Sequence, residues 1–105
     1  MSLPTAEEWR AAFEATPSLA QDAALLDHVR QRFHSKYLET IMQSRNVTAQ
    51  ERAWEGFYFW LVFPQTSRKP FEVPPEQADA LLAALRPLVA RLREELLRSR
   101  RATED

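Results

Sequence analysis

Residues 48–63, with the sequence TAQERAWEGFYFWLVF, decide whether this chain is all-α or contains a sheet. The first half of the stretch favours a helix, because Trp54, Phe57 and Leu61 recur every three or four residues on one side. The second half, residues 57–63, is an unbroken run of aromatic and apolar side chains that would also suit a buried strand. The stretch is therefore ambiguous by composition alone.

We predict a helix over residues 49–63. Thr48 and Glu51 have the spacing of a capping box, which starts a helix and leads directly into the apolar spacing. Only Gly56 interrupts the pattern, at a cost of about 1 kcal/mol of helix stability. Its expected role is to let a neighbouring helix approach closely.

Two more capping boxes precede this one, in the pairs Thr5 with Glu8 and Ser18 with Gln21. In such a box the hydroxyl accepts a hydrogen bond from the backbone N–H three residues later, and the longer side chain accepts one from the backbone N–H of the capping residue. They predict helices over residues 6–15 and from residue 19 to about residue 45.

The second of these helices has a broad apolar stripe facing the core, and Asn46 is expected to end it in a left-handed conformation. The stripe consists of Leu19, Ala23, Leu26, Val29, Phe33, Tyr37 and Ile41.

Residues 64–75 carry four prolines and no periodic pattern, which predicts an extended linker held to the core by Phe71 or Val73. A last helix is expected from about residue 75 to residue 101, kinked or split at Pro87, with residues 102–105 as a frayed tail. The fold class is therefore predicted as all-α: an irregular antiparallel bundle of four helices, in one domain that spans residues 1–105.

Composition excludes several classes of protein. The 105 residues include no Cys and one Gly, which argues against disulfide frameworks, thiolate metal sites and glycine-rich phosphate loops. The longest apolar run is far shorter than the roughly 18 residues of a membrane span. We therefore expect a cytoplasmic globular protein that has no contact with a membrane.

No group of residues has the spacing of a catalytic or metal site, so we expect no enzymatic activity and no cofactor. His28 and His34 are six residues apart, about 120° around a helix, and cannot act as paired ligands. Ser35 follows His34 directly and points in another direction, which excludes a nucleophile and base pair between these neighbours.

The aromatic cluster predicts an interaction surface. Phe59 and Phe63 lie one turn apart, away from the side of the helix that carries Phe57 and Leu61. A second element or molecule is therefore needed to shield these two side chains from solvent. Leu38 and Met42 similarly lie outside the stripe of their helix. These four residues predict a protein–protein interaction module, an adaptor, subunit or regulator, that associates with itself as a homodimer or larger assembly, or with another protein.

Two alternative functions compete with this prediction. A nucleic-acid regulator would use Arg93, Arg98 and Arg100 as anion contacts, but the net charge of −1 and the pI near 6.1 argue against a dominant basic face. We therefore expect no useful nucleic-acid binding.

The second alternative is an apolar ligand in a pocket lined by Trp54, Tyr58 and Trp60. The only polar groups that such a pocket would offer are the Tyr58 hydroxyl and the indole N–H groups.

The last helix could also pair with itself through its apolar seam. With Leu82, Val89 and Leu96 at the first heptad position, a parallel pair would set Glu95 against Arg100 of its mate. An antiparallel pair would bring arginines together.

Overall fold

The structure is a computed structural model that describes residues 3–63 and 73–104, with side chains in the last helix up to Ser99. Within these residues every regular element is helical, which confirms the all-α prediction. The elements are α1 (Ala6–Glu14), α2 (Pro17–Ala20), α3 (Ala23–Arg32), a π-helix (Phe33–Leu38), α4 (Glu39–Gln43), α5 (Val47–Val62) and α6 (Pro75–Glu104).

The ambiguous aromatic run is helical to the end of α5 at Val62, and Phe63 follows in an extended conformation. The helix begins two residues before the predicted start, because the Asn46 carboxamide oxygen accepts a hydrogen bond from the Thr48 N–H at 2.8 Å. The predicted capping role of Thr48 is therefore wrong. The left-handed conformation predicted for Asn46 is also wrong, since its φ is −90° and its ψ is 117°.

The first capping box is present as predicted. Thr5 Oγ1 accepts from the Glu8 N–H at 3.1 Å, and Glu8 Oε2 accepts from the Thr5 N–H at 3.0 Å. These reciprocal bonds satisfy two donors that a helix start otherwise leaves unpaired.

The capping box predicted for Ser18 does not form. The Ser18 N–H donates across the molecule to the Gln77 side-chain oxygen at 2.9 Å, and α2 is a single turn that ends at Ala20. Asp22 begins α3 instead, where its carboxylate accepts from the Ala24 and Leu25 N–H groups. The long helix predicted from residue 19 therefore starts at Ala23.

A π-helix interrupts this long helix without breaking it. Residues 23–43 form one continuous rod in which Phe33–Leu38 has the wider π geometry. A π segment adds a residue to its turn, which rotates the side chains that follow it relative to those of an unbroken α-helix. The π-helix begins at Phe33, a fully buried residue of the core.

Phe33 is fully buried and lies at the centre of an aromatic core. Its ring centroid is 4.9 Å from that of Phe57, 5.7 Å from Trp54 and 6.0 Å from Phe13. Offset and edge-on ring pairs at these separations each add about 0.5–1.5 kcal/mol beyond area burial. The rod, α1 and α5 are therefore joined by one cluster.

The close approach predicted at Gly56 is present. A Cβ placed on this residue would lie 3.3 Å from a ring carbon of Tyr37 in the π-helix. The glycine thus allows α5 to pack closely against the rod.

Helix α6 lies antiparallel to α5. Val73 is fully buried and its N–H donates to the Leu61 carbonyl at 3.1 Å, so the chain is held to the core there as predicted. Phe71 and the other residues of 64–72 lie outside the described part of the chain.

Helix α6 is not split at Pro87, the more drastic of the two predicted alternatives, and runs on to Glu104 rather than ending near residue 101. Pro87 is exposed, whereas Leu85 and Val89 on either side of it are buried. Packing before and after the proline explains why the helix stays in one piece.

Candidate interaction surface

Phe59 lies on the exposed side of α5 and Phe63 directly follows the helix, and both are exposed, as their spacing predicts. Their side chains are 44% and 40% exposed, and their ring centroids are 5.6 Å apart. The Tyr58 ring lies edge-on to Phe59 at 5.6 Å. We refer to Phe59 and Phe63 as the phenylalanine patch.

A groove of about 390 Å³ runs between α5 and α6 beside this patch, and we call it the acidic groove. Apolar side chains and three carboxylates line it, with one guanidinium. The lining residues are Glu51, Trp54, Glu55, Tyr58, Phe59, Asp79, Leu82 and Arg86.

The three residues of the candidate ligand pocket do not lie together. Trp54 and Tyr58 line the acidic groove, but Trp60 lies on another side of α5. There the Arg32 guanidinium lies 5.2 Å from its ring centroid, and the His28 ring lies 5.9 Å away. On a helix, Trp60 points about 160° away from Tyr58 and about 120° away from Trp54, so no single groove includes all three.

An ion pair joins α5 to α6 at one end of the acidic groove. Arg86 donates two hydrogen bonds to the Glu51 carboxylate, at 3.0 and 2.9 Å, and its guanidinium lies 5.0 Å from the Trp54 ring centroid. The hydrogen bonds from Arg86 lower the pKa of Glu51 below its ordinary value, and those to Glu51 raise the pKa of Arg86. Glu8 also has a lowered pKa, chiefly because it accepts from the Thr5 N–H and secondly because of Arg91.

These two carboxylates predict how stability depends on pH. A carboxyl group whose pKa is lower in the folded state stabilises the fold above its unfolded pKa, and this contribution disappears as the pH falls through the folded pKa. We expect the free energy of unfolding to fall as the pH drops below about 4.5, and to fall less in a Glu8→Gln/Glu51→Gln variant. Urea unfolding followed by circular dichroism from pH 7 to pH 3 measures both curves. If the free energy of unfolding fell equally with pH in the parent and the variant, Glu8 and Glu51 would not be the cause of the loss.

A second groove, which we call the basic groove, lies near the other end of α6. It is lined by Met42, Gln43, Arg45, Arg93, Leu96 and Leu97. Leu96 and Leu97 are 44% and 46% exposed, whereas Met42 is half-buried against the core.

Leu38 and Met42 therefore do not extend the phenylalanine patch. Met42 lines the same groove as Arg93, whereas Phe59 lines the same groove as Asp79. Asp79 and Arg93 are about 21 Å apart along α6. Leu38 is also half-buried against the core. The structure separates the predicted four-residue interface into two regions.

The candidate anion contacts do not form a free cluster. Arg93 donates to the Ile41 carbonyl at 3.5 Å, and Arg98 pairs with Glu94 at 3.1 Å and with Glu95 at 3.4 Å. The side chain of Arg100 lies outside the described part of the chain.

His34 lies at an open groove that sequence spacing did not predict. Trp9, Arg30 and Ser35 help to line this groove, and the His34 ring is edge-on to Trp9 at 5.3 Å. Burial, with a smaller contribution from Arg30, lowers the pKa of His34. The imidazole is therefore mainly neutral near pH 7.

Among residues 3–63 and 73–104, no group of three or more His, Cys, Asp or Glu side chains is placed to hold a metal ion. Within the same residues, no helix combines the length and the apolar character that crossing a membrane requires.

Comparison with known proteins finds no matching family model, and no significant match among curated proteins or solved structures. The argument for a function therefore depends on the surface geometry.

Proposed function

We propose that this chain is a small, non-catalytic protein–protein interaction module of the cytoplasm, an adaptor, subunit or regulator, and that it self-associates through the phenylalanine patch. The absence of cysteine fits a reducing compartment. The patch supplies the contact, and the helical core holds it in place.

The exposure of two adjacent phenylalanines is the observation that carries this proposal. Single exposed apolar residues are common on protein surfaces, but Phe59 and Phe63 are in contact with each other and both are about two-fifths exposed. Aromatic residues surrounded by polar groups are typical of the centre of a protein interface. Here the charged residues Glu55 and Asp79 lie in the adjoining groove.

The other two functions receive less support from the described residues. An anion-binding face would need free arginines, but Arg98 is paired with two carboxylates and Arg93 contacts the backbone. An aromatic ligand pocket would need Trp60 beside Trp54, and these side chains face different surroundings.

A Phe59→Ser/Phe63→Ser variant tests the proposal. We expect the parent protein to be at least a dimer at micromolar concentration, and the variant to be a monomer with unchanged helicity, because both changes replace exposed rings. Light scattering after size-exclusion chromatography gives the mass, and circular dichroism gives the helicity.

Leu3→Ser is the matched control, since Leu3 is 51% exposed and lies outside the patch. This change should leave the mass as in the parent. A parent protein that is monomeric throughout a dilution series would disprove self-association. Unfolding of the double variant would show that the two phenylalanines belong to the core.

A further inference from the structure

The acidic and basic grooves open on the same face of α6. Asp79, Arg86 and Arg93 follow one another at intervals of seven residues, which is nearly two helical turns, so they lie along one line of the helix. Asp79 and Arg86 line the acidic groove, and Arg93 lines the basic groove. We refer to the surface that contains both grooves as the α6 face.

The two ends of the α6 face carry opposite charge. Glu51, Glu55 and Asp79 outnumber Arg86 among the residues that line the acidic groove. Arg45 and Arg93 line the basic groove together with no carboxylate.

Each end also has exposed apolar side chains. Phe59 lies at the acidic end, and Leu96 and Leu97 lie at the basic end. A surface with an acidic apolar end and a basic apolar end is complementary in charge to a second copy of itself that is related to it by a 180° rotation.

We propose that two copies of this chain pair through the α6 face, antiparallel, about a two-fold axis near Arg86. This inference rests on the proposed function, and it adds the surface of the second copy that Phe59 meets and the arrangement of the two copies. Asp79 and Arg93 each lie seven residues, about 10.5 Å, from Arg86 along the helix. The axis therefore sets Asp79 opposite the partner's Arg93, and the acidic groove with Phe59 opposite the partner's Leu96 and Leu97.

The centre of the face suits this arrangement. Two Arg86 side chains meet near the axis, but each is already paired with its own Glu51 through two hydrogen bonds, which reduces their repulsion.

Two other arrangements of the dimer fit less well. A parallel pair of α6 helices through their apolar seam would need Leu82 and Val89, and both are buried within the chain. A dimer with the phenylalanine patch against its own copy would place Glu55 and Asp79 near the same carboxylates of the partner, which repel.

Two charge-reversed variants test the arrangement. The first, Glu55→Lys/Asp79→Lys, makes both ends of the face basic, and the second, Arg45→Glu/Arg93→Glu, makes both ends acidic. We expect each variant alone to dimerise about 100-fold more weakly than the parent, because both contacts of its homodimer join like charges. An equimolar mixture should form a heterodimer of near-parental affinity, since both of its contacts join opposite charges. Native mass spectrometry separates the three dimers by mass.

Glu7→Lys/Glu14→Lys is the matched control for net charge. It changes the charge by the same amount as the first variant, at exposed positions of α1 outside both grooves. This control should homodimerise like the parent, and it should not rescue the Arg45→Glu/Arg93→Glu variant. Circular dichroism of each variant establishes that the chains are folded. Arg93→Gln, which removes the charge and the hydrogen bond to the Ile41 carbonyl, is measured in the same way to separate the loss of that bond from charge reversal.

The outcomes separate the arrangement from the proposed function. If the parent is monomeric, both are wrong. If the parent dimerises but the Arg45→Glu/Arg93→Glu variant dimerises equally well, self-association stands and the antiparallel arrangement is wrong. Rescue of that variant by the α1 control would also disprove the arrangement, because net charge alone would then explain the heterodimer.

Discussion

The Phe33→Ala variant loses about 3–5 kcal/mol of its free energy of unfolding, the cost of removing a large aromatic side chain from a packed core. Phe33 is fully buried, and its ring contacts aromatic rings from α1 and α5. The truncation leaves a cavity where the rod meets both helices. Because single domains have only about 5–15 kcal/mol of net stability, we expect the variant to be largely unfolded at moderately raised temperature.

Urea unfolding of the parent and variant, followed by circular dichroism in dilute protein, measures this loss without a contribution from association. Phe59→Ala is the matched control, because it removes the same atoms from a side chain that is 44% exposed. The control should cost less than about 1.5 kcal/mol. Equal losses in the two variants would contradict the placement of Phe33 at the centre and of Phe59 at the surface.

The helical fold of residues 57–62 could be predicted although the Thr48 capping box, the first signal that favoured it, does not form, because two other signals agreed. Spacing on one side and the absence of a strong breaker both favoured a helix, and they outweighed the strand propensity of the individual residues. The same spacing predicts which side of α5 stays exposed, and therefore the exposure of Phe59 and Phe63.

Helix starts were predicted less well because several polar residues compete at each boundary. Near α5, Asn46 caps the helix in place of Thr48, since an amide side chain can accept from a backbone N–H two residues later just as a hydroxyl can. At Ser18 the backbone N–H donates to Gln77, which is 59 residues away in the chain. The residues next to Ser18 in the sequence give no indication of a hydrogen bond to a residue so distant in the chain.

The two grooves depend on tertiary packing, which explains why spacing did not reveal them. The ion pair of Glu51 and Arg86 joins α5 to α6, and the basic groove requires α4 to end beside Arg93. The π-helix likewise has no recognised sequence pattern.

Pro87 is the residue at which a local rule and the tertiary structure disagree most. A proline inside a helix lacks the N–H that would bond to the carbonyl of Ala83, and its ring clashes with that carbonyl, at a cost of about 3 kcal/mol. Yet α6 continues through it, because burial of Leu85 and Val89 on the opposite side holds both halves in one helix. We therefore infer that this cost is still present in the folded state.

Replacing this proline should stabilise the protein. We expect Pro87→Ala to raise the free energy of unfolding by about 2 kcal/mol, which is the relieved helix penalty less about 0.4–1 kcal/mol for the greater freedom of the unfolded chain. Ala90→Pro is the converse control, because residue 90 is also exposed in α6, and it should cost about 3 kcal/mol. Urea unfolding at a single low protein concentration gives both differences. A Pro87→Ala variant no more stable than the parent would mean that α6 accommodates the proline without strain, and the inferred cost at Pro87 would then be wrong.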